Sequence, residues 1–312
     1  MIELQNSSNT ISPAERAHVL IEALPYMREF FGRTVVIKYG GNAMADEHLK
    51  EQVMADVALL HYVGIRPILV HGGGPEINAL MEKLGSPPQF VNGLRVTDES
   101  NMEFVEMALA GKINKSLVAL LNKSGANAVG LSGKDANLLV ARKLLGDQGD
   151  LGLVGEIVQV NAAFLNMLAD QGYVPVICSV AIGQDGATYN VNADHVAGAI
   201  AAEMKAAKLI VLTDTEGVYG DLENPHSLLS VLEISSAREM LANGKAAKGM
   251  IPKLEACISA VQSGVPRAHL IDGRQSHSML IEMFTDAGAG TMIVPNPAKR
   301  PGRSAHLVGG FE

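Results

Sequence analysis

The chain has 312 residues and a net charge of −8; it is 47% hydrophobic, 19% charged and 4% aromatic, with no Trp. This balance fits an α/β protein of one large domain or two lobes, and the missing basic surface disfavours nucleic-acid binding. The two cysteines, Cys178 and Cys257, have no CxxC spacing, so we expect a reducing cytoplasm and no disulfide framework. No apolar run reaches the ~18 residues of a membrane span, and no signal peptide is expected.

The first predicted element is an amphipathic helix that begins at a capping box. The sequence Ser12-Pro13-Ala14-Glu15 places Pro at the first helical position, and Pro25 inside the pattern predicts a kink. One apolar stripe follows the helix: Leu20, Ile21, Leu24, Met27 and Phe31. The stripe packs either on the helix's own domain or on another subunit.

Glycine turns follow the first two predicted strands. Residues 35–37 lead through Lys38 to Gly40-Gly41, and residues 68–70 lead to His71-Gly72-Gly73-Gly74. The helix between them makes this a right-handed βαβ unit with parallel strands. Ligands bind beyond the carboxyl ends of such strands, where glycine N–H groups and helix N-termini favour anions. The simpler alternative to an anion site is that these residues form only a strand, a tight turn and a solvated lysine.

The α/β alternation continues along the chain. Strands are expected at residues 128–131, 174–179, 209–212, 268–271 and 291–294, and helices at 161–170, 190–207, 249–261 and 279–284. Thr97 is expected to cap the helix that carries Met102, and a second short helix follows residues 112–115. Hairpins are expected in 136–160 and 182–189, and a loop over 215–229. The alternation restarts near residue 206, the candidate lobe boundary.

Several common catalytic motifs are absent from the sequence. No Gly-Lys pair has the flanking residues of a Walker P-loop, neither glycine turn carries GxGxxG, and no GxSxG nucleophile elbow occurs. No His, Cys, Asp or Glu set has zinc spacing. His71 is therefore interpreted as a structural turn residue rather than a base.

The remaining polar residues are those of phosphoryl transfer. Lys38 and Lys253 stand at loop or helix starts, and carboxylates stand at similar places: Asp135, Asp194 and Asp214. Such transfer needs positioning and positive charge more than covalent help from the protein. Arg95 lies in a turn, where its planar fork either grips a substrate carboxylate or makes a weak surface salt bridge. Together, these lysines, carboxylates and Arg95 favour a small-molecule kinase.

A series of motifs then occurs in order between about residue 20 and residue 312: VIKYGGNAM, ILVHGGGPEIN, NGLRVTD, GKINKSLV, GLSGKDANLL, YNVNADHVAGAIA, LIVLTD, GMIPKLEAC and AHLIDGR. With them the chain resembles the acetylglutamate kinases of the amino-acid kinase family. The resemblance implies a three-layer αβα sandwich with a mainly parallel central sheet and two lobes. A kinked helix over 1–32 would precede an acetylglutamate-binding lobe over 33–206 and an ATP-binding lobe over 207–312.

The resemblance also implies the reaction and its residues. ATP, with Mg²⁺ and without a resident metal site, would phosphorylate the γ-carboxylate of N-acetyl-L-glutamate in arginine biosynthesis. Lys38 and Lys253 would stabilise the transferring phosphoryl group, Asp194 would hold both lysines, and Gly41 would donate its backbone N–H. Other contacts to the substrates follow by motif match: Gly73, Gly74, Arg95, Asn190 and Asn192 for acetylglutamate, and Gly40, Thr213, Asp214 and Lys253 for the nucleotide.

One departure and three alternatives remain open. The family's lysine loop usually reads Gly-Gly-Met-x-Pro-Lys, and Lys248 here replaces the first Gly, which removes a hinge and adds a charge. An aspartokinase would carry a regulatory domain after residue 312, and a carbamate or uridylate kinase would lack NGLRVTD. A non-catalytic arginine sensor would be expected to lose Lys38, Asp194 or Lys253, and all three are present.

Relatives with such an N-terminal helix are typically hexamers that arginine inhibits. The resemblance implies that the helix packs against its counterpart from a neighbouring dimer, which gives a trimer of dimers. Arginine would bind beside the helix in the C-terminal lobe, at Tyr26, Lys208, His269, Glu282 and Gly288.

Overall fold

A computed structural model describes residues 12–44, 46–91, 94–145 and 150–295 of the chain. Two residues of the NGLRVTD motif, Asn92 and Gly93, and the end of the expected ATP lobe, 296–312, lie outside these ranges.

The strands are β1 Thr34–Tyr39, β2 Arg66–His71, β3 Phe90–Val91, β4 Leu94–Arg95, β5 Ala128–Leu131, β6 Leu139–Lys143, β7 Val154–Val160, β8 Val174–Cys178, β9 Val180–Gly183, β10 Thr188–Val191, β11 Lys208–Thr213, β12 Val231–Glu233, β13 Ala268–Asp272 and β14 Thr291–Val294.

The helices alternate with these strands along the chain. They are α1 Pro13–Phe30, α2 Glu47–Tyr62, α3 Gly74–Lys83, α4 Glu99–Glu106, α5 Asn114–Lys123, α6 Ala162–Asp170, α7 Ala193–Glu203, α8 Ile234–Ala242, α9 Ile251–Gln262 and α10 Ser278–Phe284. A wider, π-helical turn over Met107–Ile113 joins α4 to α5, and short 3₁₀ turns occupy Gly41–Met44 and Asp135–Asn137.

The central sheet has eight strands in the order β12-β14-β13-β11-β1-β2-β8-β5. Six of them run parallel to one another. Strand β14 is antiparallel to β13, and β12 is parallel to β14. Because β1 pairs with β11, the segments before and after residue 206 share one continuous sheet. The prediction of a mainly parallel sheet is confirmed.

Helices cover both faces of this sheet and produce two separate cores. Val35 and Ile37 of β1 point into one core with α2, α5 and α10, whereas Val36 points into the other with α7 and α9. The alternation follows from the two-residue period of a strand, and burial on both faces explains the apolar runs of the parallel strands. The αβα sandwich expected from the resemblance is therefore present.

A smaller sheet accounts for the predicted hairpins. Strands β10, β7, β6 and β9 close into a small barrel, in which β6 with β7 and β9 with β10 are antiparallel pairs. The β3–β4 pair forms a separate short ribbon that ends at Arg95. The barrel follows the carboxyl end of β8, because β9 begins two residues after Cys178. The segment after the ribbon lies against the barrel's approach to β7, because Thr97 pairs with Gly152.

Several local predictions were wrong. Asp98, not Thr97, caps α4, because its carboxylate accepts the N–H of Asn101, while the Thr97 hydroxyl donates to the Arg95 carbonyl. Helix α7 ends at Glu203, before the predicted residue 207, and Lys205 then takes a left-handed φ of 48°. Strand β12 and helix α8 were not predicted. Short amphipathic segments give a weak periodic signal, which explains that omission.

Helix α1 starts as predicted and leaves its stripe exposed. The Ser12 hydroxyl accepts the Glu15 N–H and the Glu15 carboxylate accepts the Ser12 N–H, so the capping box is confirmed. The helix continues through Pro25, and its kink stays a prediction. Leu20 and Ile21 are each 65% exposed, whereas Phe30 is buried at the end of the helix. In the described part of the chain no helix is long and apolar enough to cross a membrane.

Candidate active site

Two lysines and one carboxylate meet at the carboxyl end of β1. Lys38 Nζ lies 3.1 Å from one oxygen of Asp194, and Lys253 Nζ lies 3.6 Å from the other. The Lys38 and Asp194 side chains are only 7% and 5% exposed, and that of Lys253 is 17% exposed. The cluster therefore carries one excess positive charge in a largely dry environment. Such a charge attracts an anion from solvent.

Local structure fixes the carboxylate between the lysines. Asn192 caps α7, and its side-chain oxygen accepts the N–H groups of Asp194, at 2.8 Å, and His195, at 3.4 Å. Asp194 therefore sits in the first helical turn, where the helix dipole favours a negative charge. Lys253 lies in the first turn of α9, behind Pro252. Both helices point their N-termini at the cluster, which favours anion binding there.

The charges in the cluster stabilise one another. Burial lowers the pKa of Lys38, the Asp194 carboxylate counteracts that change, and the Lys253 charge lowers the pKa further. Burial opposes ionisation of Asp194, but the charges of Lys38 and Lys253 outweigh it and lower its pKa. Asp194 is thus ionised at neutral pH, and its charge does most to favour the protonated form of Lys38.

The first glycine turn lies against the lysine. A Cβ on Gly40 would sit 3.1 Å from Lys38 Nζ, and Gly41 adopts a left-handed φ of 79°. Glycine tolerates both the close approach and the positive φ. Backbone at this turn can therefore approach a ligand held by the lysine, as the motif match predicts for Gly40 and Gly41.

The second glycine turn follows β2 at the same edge of the sheet. The Gly72 N–H donates to the Tyr39 carbonyl at 3.1 Å, which joins the two turns. Gly73 caps α3 and Gly74 is its first residue, so their N–H groups belong to a helix N-terminus. A Cβ on Gly73 would collide with Ile113 Cδ1.

His71 ends β2 beneath this turn. Its ring is buried, with Nδ1 2.9 Å from the Gly72 carbonyl and Nε2 3.1 Å from the Asn114 amide. Burial lowers the pKa of His71 to about 4, so the ring is neutral at pH 7. These contacts give His71 a structural place in the turn.

Arg95 is buried next to the second turn, at the end of the β3–β4 ribbon. Its guanidinium donates to Asn78 Oδ1 at 2.5 Å and to the Gly74 carbonyl at 3.3 Å, and it lies 4.7 Å from the centre of the Phe90 ring. Among the described residues no carboxylate pairs with it. An unneutralised buried guanidinium is a good partner for a substrate carboxylate. Asn78 ends the motif ILVHGGGPEIN, but neither Asn78 nor Phe90 was predicted as a site residue.

The remaining predicted substrate residues divide into two kinds. Asn190 lies on β10, and its amide donates to the Thr97 hydroxyl at 3.2 Å, which places it beside the Arg95 ribbon. The side-chain oxygen of Asn192 is occupied by the cap of α7. Asn192 therefore supports Asp194, whereas Asn190 faces the region of Arg95.

The predicted nucleotide residues continue this edge into the second half of the sheet. Thr213 is the last residue of β11, which is paired with β1, and its carbonyl accepts the Gly273 N–H at 2.8 Å. Asp214 follows directly, and its charge raises the pKa of Lys38. The structure thus brings Lys38, Asp194, Lys253 and Asp214 to one edge.

The residues predicted for arginine gather at the opposite edge. Lys208 Nζ and His269 Nδ1 lie 2.8 Å and 2.9 Å from Glu282 Oε1, and a Cβ on Gly288 would lie 3.1 Å from Glu282 Oε2. Burial opposes ionisation of Glu282, but His269 and Lys208 lower its pKa to about 2. The Lys208 ammonium also lies 5.2 Å from the centre of the Phe30 ring.

Tyr26 belongs to α1, one turn before Phe30, and is half-buried. The end of α1 is tied to this half of the sheet, because Arg267 pairs with Glu29 at 2.6 Å. Phe30, the last residue of α1, was not singled out from the sequence, and its ring packs against the Lys208 ammonium of this cluster.

Comparison with known proteins identifies the family. The amino acid kinase family matches residues 33–272. The acetylglutamate kinase of Caldanaerobacter subterraneus subsp. tengcongensis is 57% identical over 278 residues, which are 89% of this chain and 93% of that protein.

Solved structures give the same result for the fold. N-acetylglutamate synthase from Neisseria gonorrhoeae, complexed with coenzyme A and N-acetyl-glutamate, has a TM-score of 0.80 at 28% identity over 90% of this chain. Its complex with coenzyme A and L-arginine has a TM-score of 0.75 at 26% identity. This chain spans 64% and 65% of those synthase chains. By sequence and by fold, the chain belongs to the amino acid kinase family and, within it, to the acetylglutamate kinases.

Proposed function

We propose that the protein transfers the γ-phosphoryl group of ATP to the γ-carboxylate of N-acetyl-L-glutamate, in the cytoplasm and as a step of arginine biosynthesis. The observation that carries the proposal is the Lys38–Asp194–Lys253 cluster at the carboxyl edge of the sheet. A carboxylate oxygen attacks the γ-phosphorus, the bond from that phosphorus to the bridging oxygen breaks, and ADP leaves. The products are ADP and the acyl phosphate.

The protein contributes charge and position rather than a base. A substrate carboxylate is already ionised at pH 7, so no proton has to be removed. Lys38 and Lys253 neutralise charge on the phosphoryl oxygens during transfer, Asp194 holds both ammonium groups, and the Gly41 N–H faces the same oxygens. Mg²⁺ arrives with ATP as part of that substrate. Among the described residues no group of three or more His, Cys, Asp or Glu is arranged to hold a metal.

The two substrates approach from the two lobes of the sheet edge. The lobe over 33–206 offers the Gly73 and Gly74 N–H groups, the Arg95 guanidinium and Asn190 to acetylglutamate. The lobe over 207–312 offers Thr213, Asp214 and Lys253 to the nucleotide, with Gly40 at the junction. The two lysines meet at Asp194, and in-line transfer would take place beside them.

A coupled assay of ADP release tests this function. The purified protein should release ADP with ATP, Mg²⁺ and acetylglutamate, and much less with equal concentrations of aspartate or glutamate. Release with aspartate alone would assign another carboxylate kinase of the family. No release with any acceptor, together with arginine binding by calorimetry, would assign a non-catalytic arginine sensor.

Substituting Arg95 with Lys should weaken acetylglutamate binding by roughly 1.5–3 kcal/mol, because a lysine cannot make two parallel bonds to a carboxylate. KM for ATP should barely change. Initial rates at saturating levels of the other substrate provide both values. The control is Arg142→Lys, whose exposed partner is Glu156, and equal losses for both substrates in Arg95→Lys would make Arg95 a structural residue.

The same proposal includes inhibition by arginine and assembly into a hexamer. The exposed stripe of α1 supports assembly, because an isolated helix of this length is marginal in water unless its apolar face is buried. Arginine would bind beside α1 at Tyr26, Lys208, His269, Glu282 and Gly288, with Glu282 pairing to its guanidinium. Binding would hold the two lobes apart, and a coupling of ~1–3 kcal/mol gives 5–150-fold inhibition.

Deleting residues 1–25 should convert the hexamer to dimers and abolish inhibition by arginine, because it removes Leu20, Ile21 and Leu24, the greater part of the stripe that joins the dimers. Light scattering gives the mass, and ADP release against arginine concentration gives the inhibition. A matched control is His18→Ala with Glu22→Ala, an exposed pair on the same helix. A deleted protein that is still hexameric and equally sensitive to arginine would refute this part of the proposal.

A further inference from the structure

We infer that Gly198 is a positioning residue for phosphoryl transfer: it lets α7 and α9 approach closely enough for Lys253 to reach Asp194. The inference rests on the proposed function, since it concerns the lysine assigned to the phosphoryl group. Gly198 touches neither lysine and was not among the predicted site residues.

The two helices meet at this glycine. A Cβ on Gly198 would lie 3.0 Å from the Ala256 carbonyl oxygen and 3.6 Å from the Ala256 Cα. A backbone oxygen cannot rotate away as a side chain can, so a methyl group here has to move α9 relative to α7. Glycine weakens a helix interior compared with alanine, and close contact with α9 is the physical reason for it here.

The contact lies directly below the reacting cluster. Gly198 follows Asp194 by four residues and therefore shares its face of α7. Ala256 follows Lys253 by three residues, within one turn of α9. Buried Cys257 comes next, and its raised pKa reflects burial first and then the nearby Asp194 charge. A displacement at Gly198 is thus passed over about one helical turn to the Lys253–Asp194 contact.

The contact between Lys253 and Asp194 leaves little room for displacement. Lys253 Nζ is already 3.6 Å from Asp194, whereas Lys38 Nζ is 3.1 Å away from its other oxygen. Lys38 belongs to β1 and not to α9, so moving α9 changes one lysine and leaves the other. We expect phosphoryl transfer to slow while acetylglutamate binding is preserved, because acetylglutamate is held by groups on α3 and the β3–β4 ribbon.

The test is Gly198→Ala, with kcat and both KM values measured on folded protein. We expect kcat to fall by ~10-fold or more, since misplacement of a reacting group by 1 Å can cost 10²-fold. KM for acetylglutamate should change less than about twofold, because none of its proposed contacts moves. A wild-type kcat would overturn the positioning role.

Two controls separate position from stability. Gly111→Ala makes the same change where a Cβ would meet nothing within 4 Å, and its kcat should equal that of the wild type. Ala58→Val overfills the other core, at a buried position of α2 away from α7 and α9; it should lower the melting temperature and leave kcat of the folded protein unchanged. Equal loss of folding in Gly198→Ala and Ala58→Val, without a selective loss of kcat, overturns the inference.

A double-mutant cycle with Lys253→Ala completes the test. If Gly198 acts through Lys253, adding Gly198→Ala to Lys253→Ala should change kcat less than about twofold. An additional fall as large as in the wild-type background overturns the inference. Lys253→Ala with a wild-type kcat overturns the proposed function as well, whereas a low kcat in Lys253→Ala with a wild-type kcat in Gly198→Ala overturns the positioning role alone.

Discussion

Replacing Lys253 with Ala should lower kcat by ~10³-fold or more, the loss expected when a charge that stabilises the transferring phosphoryl group is removed. KM for acetylglutamate should hardly change, because its proposed contacts are Arg95 and the second glycine turn, whereas Lys253 is proposed to act on the phosphoryl group. The reason is differential binding: charge on the phosphoryl oxygens is redistributed during transfer, and only an interaction that strengthens then affects kcat. Steady-state rates measured at varied concentrations of both substrates give kcat and the two KM values separately.

Lys38→Ala should cause a loss of the same size in kcat with an added loss of stability. Lys38 is more buried than Lys253, and its removal leaves Asp194 in the interior with the more distant lysine as its partner. Breaking a buried ion pair by removing one member costs ~3–5 kcal/mol, so the melting temperature should fall too. The control is Lys83→Ala at the exposed end of α3. Near-wild-type kcat in either lysine variant would contradict the assignment.

Most of the central sheet could be predicted from the sequence, because its strands are buried on both faces. The apolar runs at 35–37, 68–70 and 209–212 became the centre of β1, β2 and β11, since a fully buried strand leaves little freedom for other structures. Helix α8 and strand β12 gave no such signal. Asp98 instead of Thr97 at the start of α4 is an error of one residue, and adjacent polar residues compete for a cap with similar energies.

The active site could be predicted only in part, for a physical reason. Residue type and position at strand ends and loop or helix starts pointed to Lys38, Lys253 and Asp194, and the motif resemblance assigned their roles. The contacts that hold a site together are long-range: Arg95 with Asn78, or the Gly198 backbone with that of Ala256. Neither pair has a local periodic signature, because each depends on how two helices or a ribbon pack. Such contacts become visible only with the fold.

One strand connects the proposed catalytic and regulatory regions. Lys208 begins β11 and Thr213 ends it, which separates the arginine cluster from the nucleotide edge by ~16 Å at ~3.3 Å per residue. A strand paired on both sides cannot stretch. Arginine would therefore act by reorienting whole lobes rather than by distorting β11, which agrees with its proposed contacts to α1 and α10.

Substituting Asp194 with Asn should lower kcat at pH 8 by ~10²-fold or more, and the deficit should shrink as the pH falls. Burial and the Lys253 charge lower the pKa of Lys38, and the Asp194 carboxylate raises it more than the Asp214 charge does. Without that negative charge the pKa of Lys38 falls further. A lysine is charged below its pKa, so activity is lost as the pH rises through the lowered value.

The pH profile of kcat between pH 6 and 9 distinguishes this from a purely geometric defect. The substrate carboxylate remains ionised throughout that range, so a basic limb that moves to lower pH in Asp194→Asn reports a lysine. The matched control is Asp170→Asn, which removes an exposed partner of Arg66 and should leave the profile unchanged, because surface pairs contribute little. If Asp194→Asn loses activity by the same factor at every pH, Asp194 only positions the lysines and does not keep them charged.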